Sequence, residues 1–529
     1  MSRQSHDISK EIQGKEDLIE WFRQHCKPAD QQLVGVEHEK PPFYRQKGHA
    51  PVPYKGVDGK PGLYDFLEKM VKERGWIPNY EKETLVELQK DDVSWSLEPG
   101  GQMETSGAPL KNVHQTAKET DANIAEAIEV SKSLGIGMVA LGYHPTNNGD
   151  HMPEVPKSRY TAWREFLEEK YAEHATDGVN CTSALQVNLG YESEEDMVKM
   201  LRVALSLQPV AMALFANSPF SEGKPSGYQS TRSEVLHGNM GGRQGFMLPV
   251  AFEKDFGFEK FVDYAMKMPL LGVYKDDVFV DVKGATFADF MEGKVESLKD
   301  HKPTLADWEN HLNTIWPEVR VRGYLEMRGA DNGPAEMIKA LPAFWVGLLY
   351  DKKSLDAAYE MVRDWTDEDR EYLRRQTPRT GLQTPFMGTT VQELAKNCLA
   401  LSEAGLKHRA IKDDKGNDES VYLAPLREIA ESGKNWALRL LERYYDAWKG
   451  DIDKVFEEQD YARNPSVLRT PAPADAPKAD AEKSEVLRQF DKNRLKESQP
   501  KPDQAKPDEF KQSQLNSGQF SQNRFRQTG

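Results

Sequence analysis

Two hydrophobic periods alternate along most of this chain. One is helical: Val113, Ala117, Ile124 and Ile128 recur near helical spacing within Leu110–Leu134, which puts an apolar stripe on one face. A second helix opens at Ser193, with Asp196 three residues on, and runs through Met197, Leu201 and Leu205 past Pro209. Ala335–Tyr350, Ser354–Trp365, Thr390–Ala404 and Val421–Trp448 are further helical segments. The other period is two, in brief stretches bounded by loop signals such as Gly59-Lys-Pro-Gly62 and Gly223-Lys-Pro-Ser-Gly227. Strands and helices follow one another irregularly, without a tandem repeat, and this predicts an α+β fold. The longest apolar runs, Gly135–Tyr143 and Pro342–Tyr350, fall short of the ~20 residues of a bilayer span and suit buried strands or helix cores.

Four of the period-two stretches place polar groups on one face. In Leu33-Val-Gly-Val-Glu-His-Glu39, an extended chain turns Gly35, Glu37 and Glu39 one way and Val34, Val36 and His38 the other. In Ser96-Leu-Glu-Pro-Gly-Gly-Gln-Met-Glu-Thr-Ser-Gly107, Gln102, Glu104 and Ser106 share a face, and the Pro99-Gly100-Gly101 bend brings Glu98 back toward it. Gln186 and Asn188 lie between aliphatic Leu185, Val187 and Leu189, so both amides need buried partners. In Tyr324-Leu-Glu-Met-Arg-Gly-Ala-Asp331, Glu326 and Arg328 share a face while Leu325 and Met327 pack behind. Each stretch alone reads equally as solvated edge, plain turn, cross-strand pairing or surface ion pair. Together they describe a sheet with an oily back and a front of carboxylates, amides and an arginine. Hard Mg²⁺ takes oxygen ligands of this kind alongside substrate phosphates, and a guanidinium can grip a transferring phosphoryl group. Zinc fits poorly, because no Cys or His cluster supplements the acids.

Composition narrows the partners. The chain has 529 residues, 70 Lys+Arg against 85 Asp+Glu, and a net charge of −15, with no dense basic stripe, which argues against nucleic acid. Three scattered cysteines, Cys26, Cys181 and Cys398, make neither a disulfide scaffold nor a zinc site. Residues 1–22 mix acids and bases without an apolar core, so the expected location is the cytoplasm, with no membrane span. The organisation expected is a flexible stretch at 1–14, one catalytic body at 15–456 and a polar, Pro-rich disordered tail at 464–529. No Gly-rich phosphate fingerprint is present: Gly135-Ile-Gly lacks the third glycine.

Read in order, longer strings resemble the plant-type glutamate–cysteine ligase family. They are Gly35-Val-Glu-His-Glu39, Leu97-Glu-Pro-Gly-Gly-Gln-Met-Glu104, Leu207-Gln-Pro-Val-Ala-Met-Ala-Leu-Phe-Ala-Asn-Ser-Pro-Phe220, Trp308-Glu-Asn-His-Leu312, Pro317-Glu-Val-Arg320, Tyr324–Asp331 and Ala340–Asp351. The resemblance implies a glutamine-synthetase-like fold, in which a curved antiparallel sheet backed by helices forms the active-site face. It also implies ATP-dependent joining of glutamate, through a γ-glutamyl phosphate, to the amine of cysteine, with Mg²⁺ on the phosphates. The partners are then small molecules, and the chain is expected as a monomer or homodimer.

Carried over residue by residue, Glu37, Glu39, Glu104 and Glu326 are implied as metal ligands, with Glu98 as a fifth acid. Arg328 is the implied γ-phosphate clamp, and Gln186 and Asn188 touch the nucleotide or a metal-bound water. Arg232 matches an arginine that holds the α-carboxylate of glutamate. Lys157, Arg159 and Tyr160 fall at a basic motif near the substrate cleft. Plant members carry redox disulfides; at one aligned pair this chain has Val282 and Ser297, and opposite Cys181 it has Lys339, so that switch is expected to be absent. Two other readings stay open: a glutamate–amine ligase with a different acceptor, and a catalytically inactive regulatory homologue.

Overall fold

The computed structural model describes residues 9–170, 176–238, 245, 247–275, 278–282 and 284–463, without the side chains of 166–170, 238 and 278. The polar tail expected at 464–529 lies outside the described residues. Within the stretch expected to be flexible, Ile12 is buried and Glu11 bridges Thr304.

Eight strands form the main sheet: β1 (Val34–Lys40), β2 (Ile77–Glu81), β3 (Thr84–Lys90), β4 (Val93–Leu97), β5 (Met103–Ser106), β6 (Ala184–Leu189), β7 (Val319–Val321) and β8 (Leu325–Asp331). Their spatial order is β7-β8-β6-β1-β5-β4-β3-β2, and every neighbouring pair is antiparallel. The helices that bear on the site are α1 (Lys15–His25), α2 (Val113–Ser133), α3 (Ser158–Lys170), α4 (Glu194–Phe215), α5 (Thr231–Gly238), α6 (Ala335–Leu349) and α7 (Val391–Arg409). Helix α2 packs on β1, α4 on β8, and α6 on β6 and β1, so the back of the sheet is covered.

The back is apolar because alternate strand residues point there. Val34, Val36, Leu185, Val187, Leu325 and Met327 are all buried in one continuous core. Helix α4 is the core's central rod. Ser193 caps it by accepting from Asp196 N at 3.2 Å. Among the described residues it is the one helix long and apolar enough to cross a membrane, but 83% of that window is buried inside the body. Its hydrophobicity therefore serves the core, and its 22-residue length exceeds the apolar runs expected from the sequence.

One expected helix is corrected. Val421–Trp448 is not continuous: it divides into a 3-10 turn at Glu419–Leu423 and helices at Ala424–Ser432 and Trp436–Asp446. Gly433 sits at φ 69, the left-handed conformation that ends a helix, and the Asn435 side chain accepts from Leu438 N at 3.1 Å to start the next.

Candidate active site

Strand register sets out the front face in rows. Glu39 faces Glu104, and Glu104 faces Ser96. In the next row Glu37 faces Ser106 on one side and Gln186 on the other. In the third, Gly35 faces Asn188, Asn188 faces Glu326, and Glu326 faces Arg320. Because the side-chain period of a strand is two, every one of these groups projects from the same surface. A cavity of about 580 Å³ lies over it, reaching from Glu37, Glu104 and Ser96 to Lys157, Arg159 and Arg322.

The acids do not share one environment. Glu39 accepts from Ala184 N at 2.8 Å, yet burial and the nearby charge of Glu98 push its carboxyl up to about 8, with Arg232 and Arg328 opposing. Glu104 accepts from Ser96 Oγ at 3.1 Å. Burial, followed by the charges of Glu98, Glu37 and Glu39, holds it well above the usual carboxylate range. Glu37 accepts from Asn188 Nδ2 at 2.6 Å. These three half-buried groups form an acidic row, and like charge helps to raise Glu39 and Glu104 within it. Their donor set is all carboxylate oxygen, which suits a hard divalent cation. Among the described residues, however, no three His, Cys, Asp or Glu groups stand together as a ready-made metal cage.

Glu326 behaves differently from the other implied ligands. It is fully buried, and Arg320 donates to it bidentately, Nη2 to both oxygens at 2.8 and 2.7 Å and Nε at 3.0 Å. Arg328 Nη1 also donates to it and to Gln186 Oε1, and Arg322 stands 4.0 Å away. Burial alone would raise this carboxyl, but Arg320, Arg328 and Arg322 together bring it down to about 2. To ligate a metal, Glu326 would have to release an arginine contact.

Arg232, at the start of α5, is 4% exposed. Its Nη2 donates to the Arg328 carbonyl at 2.8 Å and Nη1 lies 4.0 Å from Asp331 Oδ1, while Nε and Nη1 have no hydrogen-bond partner. Asp331 is itself occupied by Asn217 N, Ser218 Oγ and Ser230 Oγ. A buried guanidinium with two unmet N–H groups calls for an anion.

The basic motif stands at the opposite bank. Lys157 Nζ donates to the Leu97 carbonyl at 2.8 Å, and Tyr160 Oη donates to the same carbonyl at 2.9 Å and lies 3.3 Å from Glu98 Oε1. Arg159 Nη2 donates to Tyr160 Oη at 3.0 Å. Burial, then the charge of Arg159, lowers Lys157 to about 8. The glycine bend is fixed by its own backbone packing. Gly101 has φ 85, and a Cβ on Gly100 would meet the Asn180 carbonyl oxygen at 2.0 Å, so this glycine is required by backbone packing. Gln102 is likewise structural, donating to the Val179 and Thr182 carbonyls.

The family model for glutamate–cysteine ligase family 2 (GCS2) matches residues 33–458. The chain belongs to that family. Glutamate–cysteine ligase B, chloroplastic, of Oryza sativa subsp. japonica is 42% identical over 444 residues, covering 84% of this chain and 86% of that one. The chloroplastic glutamate–cysteine ligase of Nicotiana tabacum is 40% identical over 452 residues, covering 85% and 84%. A solved glutamate–cysteine ligase from Francisella tularensis in complex with AMP matches at TM-score 0.50 and 10% identity, over 88% of this chain and 92% of that one, a likeness of fold. As a GCS2 member the protein has the glutamine-synthetase-like architecture the strings implied. The cytoplasmic expectation is overturned by these relatives, both of which are named chloroplastic. The expectation rested on the absence of a leader pattern, and an absence carries no address.

Sequence reasoning gave no role to Arg320, Arg322 or Ser96. The signal for the arginines was the alternation Val319-Arg320-Val321-Arg322, an edge strand that turns two guanidinium groups onto the polar face.

Proposed function

We propose that this chain joins the γ-carboxyl of glutamate to the amine of cysteine with ATP, the first step of glutathione synthesis, at the front of the β1–β5–β6–β8 sheet. The observation that carries the reading is the pairing of a half-buried acidic row, Glu37, Glu39 and Glu104, with the buried Arg232, whose Nε and Nη1 have no hydrogen-bond partner. Membership in the family supplies the substrate class.

Arg232 binds the α-carboxylate of glutamate through an open Nη1 N–H, and a lysine's single ammonium could not do so while keeping the contact that Nη2 makes to the Arg328 carbonyl. The γ-carboxylate oxygen then attacks the γ-phosphorus of ATP and ADP departs, leaving a γ-glutamyl phosphate. Arg328, oriented by Glu326 and Gln186, faces the transferring group. The cysteine amine attacks the acyl carbon, loses a proton and expels phosphate. Glu37, Glu39 and Glu104 would hold Mg²⁺, with Glu326 joining on releasing an arginine. The metal's contribution is to neutralise phosphate charge. Asn188 keeps Glu37 in place by donating to it.

The test is mass detection of γ-glutamylcysteine from purified chain given glutamate, cysteine, ATP and Mg²⁺, beside parallel reactions with 2-aminobutyrate and ammonia. Glutamate-dependent ADP release that is fastest with cysteine is the expected result. No ADP release with any acceptor would remove the reading.

A further inference from the structure

Two tryptophans from distant parts of the chain meet outside the lining of the cavity. The rings of Trp163 on α3 and Trp316, three residues before β7, are stacked with centroids 4.6 Å apart and planes 16° from parallel. Neither residue has a place in the mechanism above. The indole N–H of Trp163 is buried without a hydrogen-bond partner, so ring contact and not a polar bond defines the pair.

The stack joins segments anchored far apart on the sheet. The start of α3 is tied to one side: Tyr160 and Lys157 hold the Leu97 carbonyl at the end of β4, and Ser158 N donates to Glu81 of β2 at 3.1 Å. Trp316 is tied to the other: its carbonyl accepts from Gly245 N at 2.9 Å, and Glu318, two residues on, takes Arg328 N on its carbonyl at 3.1 Å. Strands β5, β1, β6 and β8 lie between β4 and β7. At ~4.8 Å per strand that is about 24 Å along the sheet. Contact between the two indoles therefore ties the segment anchored on β2 and β4 to the segment that enters β7.

We propose that the Trp163–Trp316 stack is a positioning pair for the ligase reaction. It clasps α3 to the segment that enters β7 and so holds Lys157, Arg159 and Tyr160 beside Glu98 and Glu104. This rests on the function proposed above. Without the clasp, α3 keeps its anchors on β2 and β4 but loses its tie to the bank that carries Arg328 and Arg232, and the two halves of the site fall out of register.

The experiment uses the full chain, with Trp163→Ala, Trp316→Ala, the double variant and Trp163→Phe. Coupled indoles give a paired circular-dichroism band, expected in the parent and absent from both alanine variants while helix content is unchanged. Turnover of γ-glutamylcysteine should fall about tenfold in each alanine variant, as a modest misplacement of reacting groups would cause. The double variant should be no slower than the single ones, and Trp163→Phe should recover most of the loss. If an alanine variant does not fold, Trp163→Leu and Trp316→Leu carry the same comparison. Parent-like turnover in the single variants, or losses that multiply in the double, would overturn the proposal. A parent chain without the paired band refutes the clasp whatever its activity. A parent chain that has the band but makes no product refutes the functional reading instead.

Discussion

Replacing Arg320 by methionine isolates the electrostatics of the front face. Arg320 is 8% exposed and gives Glu326, which is 0% exposed, three hydrogen bonds of 2.7–3.0 Å. Glu326 is lowered from its ordinary 4.5 to about 2 even though burial opposes this. Arg320 is the largest of the three cationic causes of that displacement, with Arg328 and Arg322 sharing it, and removing one member of a buried pair costs roughly 3–5 kcal/mol. Arg320→Met should therefore cost about 3 kcal/mol in urea unfolding near neutral pH. The sign is set by the folded carboxyl being more acidic than the unfolded one. The stabilisation is complete above about 4.5 and is lost as pH falls toward about 2, so parent and variant should converge over that window. Adding Glu326→Gln to Arg320→Met removes the stranded charge and should recover most of the loss. An Arg320→Met chain as stable as the parent at neutral pH, or a coupling below ~0.5 kcal/mol in the double-mutant cycle, would refute the reasoning.

Other expectations follow from the same geometry. Arg232→Ala should raise the glutamate requirement at least tenfold with turnover less affected, and Arg232→Lys should not rescue it; unchanged glutamate saturation would dissociate Arg232 from the substrate. Because burial lifts Glu39 to about 8, the free protein keeps a proton there at neutral pH that the unfolded chain has lost. This group's unfavourable contribution grows as pH rises from about 4.5 to 8, and cation binding expels the proton, so the rise in melting temperature on adding Mg²⁺ should be larger at pH 8 than at pH 6; a pH-independent rise would count against Glu39 as a ligand. Cys26, Cys181 and Cys398 are free, Val282 is buried, and Lys339 is ion-paired with Asp121. Thiol reductant should accordingly leave both turnover and gel mobility unchanged.

Sequence and tertiary structure divided the information along a physical line. Period-two alternation alone sorted Glu37, Glu39, Glu104, Gln186, Asn188, Glu326 and Arg328 onto one face, because a strand has only two sides and Val34, Val36, Leu185, Val187, Leu325 and Met327 claim the other. Helical spacing likewise located α2, α4, α6 and α7, whose burial needs are local properties of their stripes. It failed where a single glycine outweighed the stripe, at Gly433.

What no strand could specify was which polar group meets which. Gln186 and Asn188, which the resemblance implied would touch the nucleotide or a metal-bound water, hold Arg328 and Glu37 respectively. Glu326, identical in sequence terms to Glu39, is drawn to the opposite protonation behaviour because three arginines surround it and Glu98 lies near the other. Carboxylate character is written in the residue type, but its proton affinity depends on charges brought close from distant parts of the chain and on how much water folding removes. Only the assembled sheet, with Arg320 opposite Glu326 and Trp163 against Trp316, decides those distances.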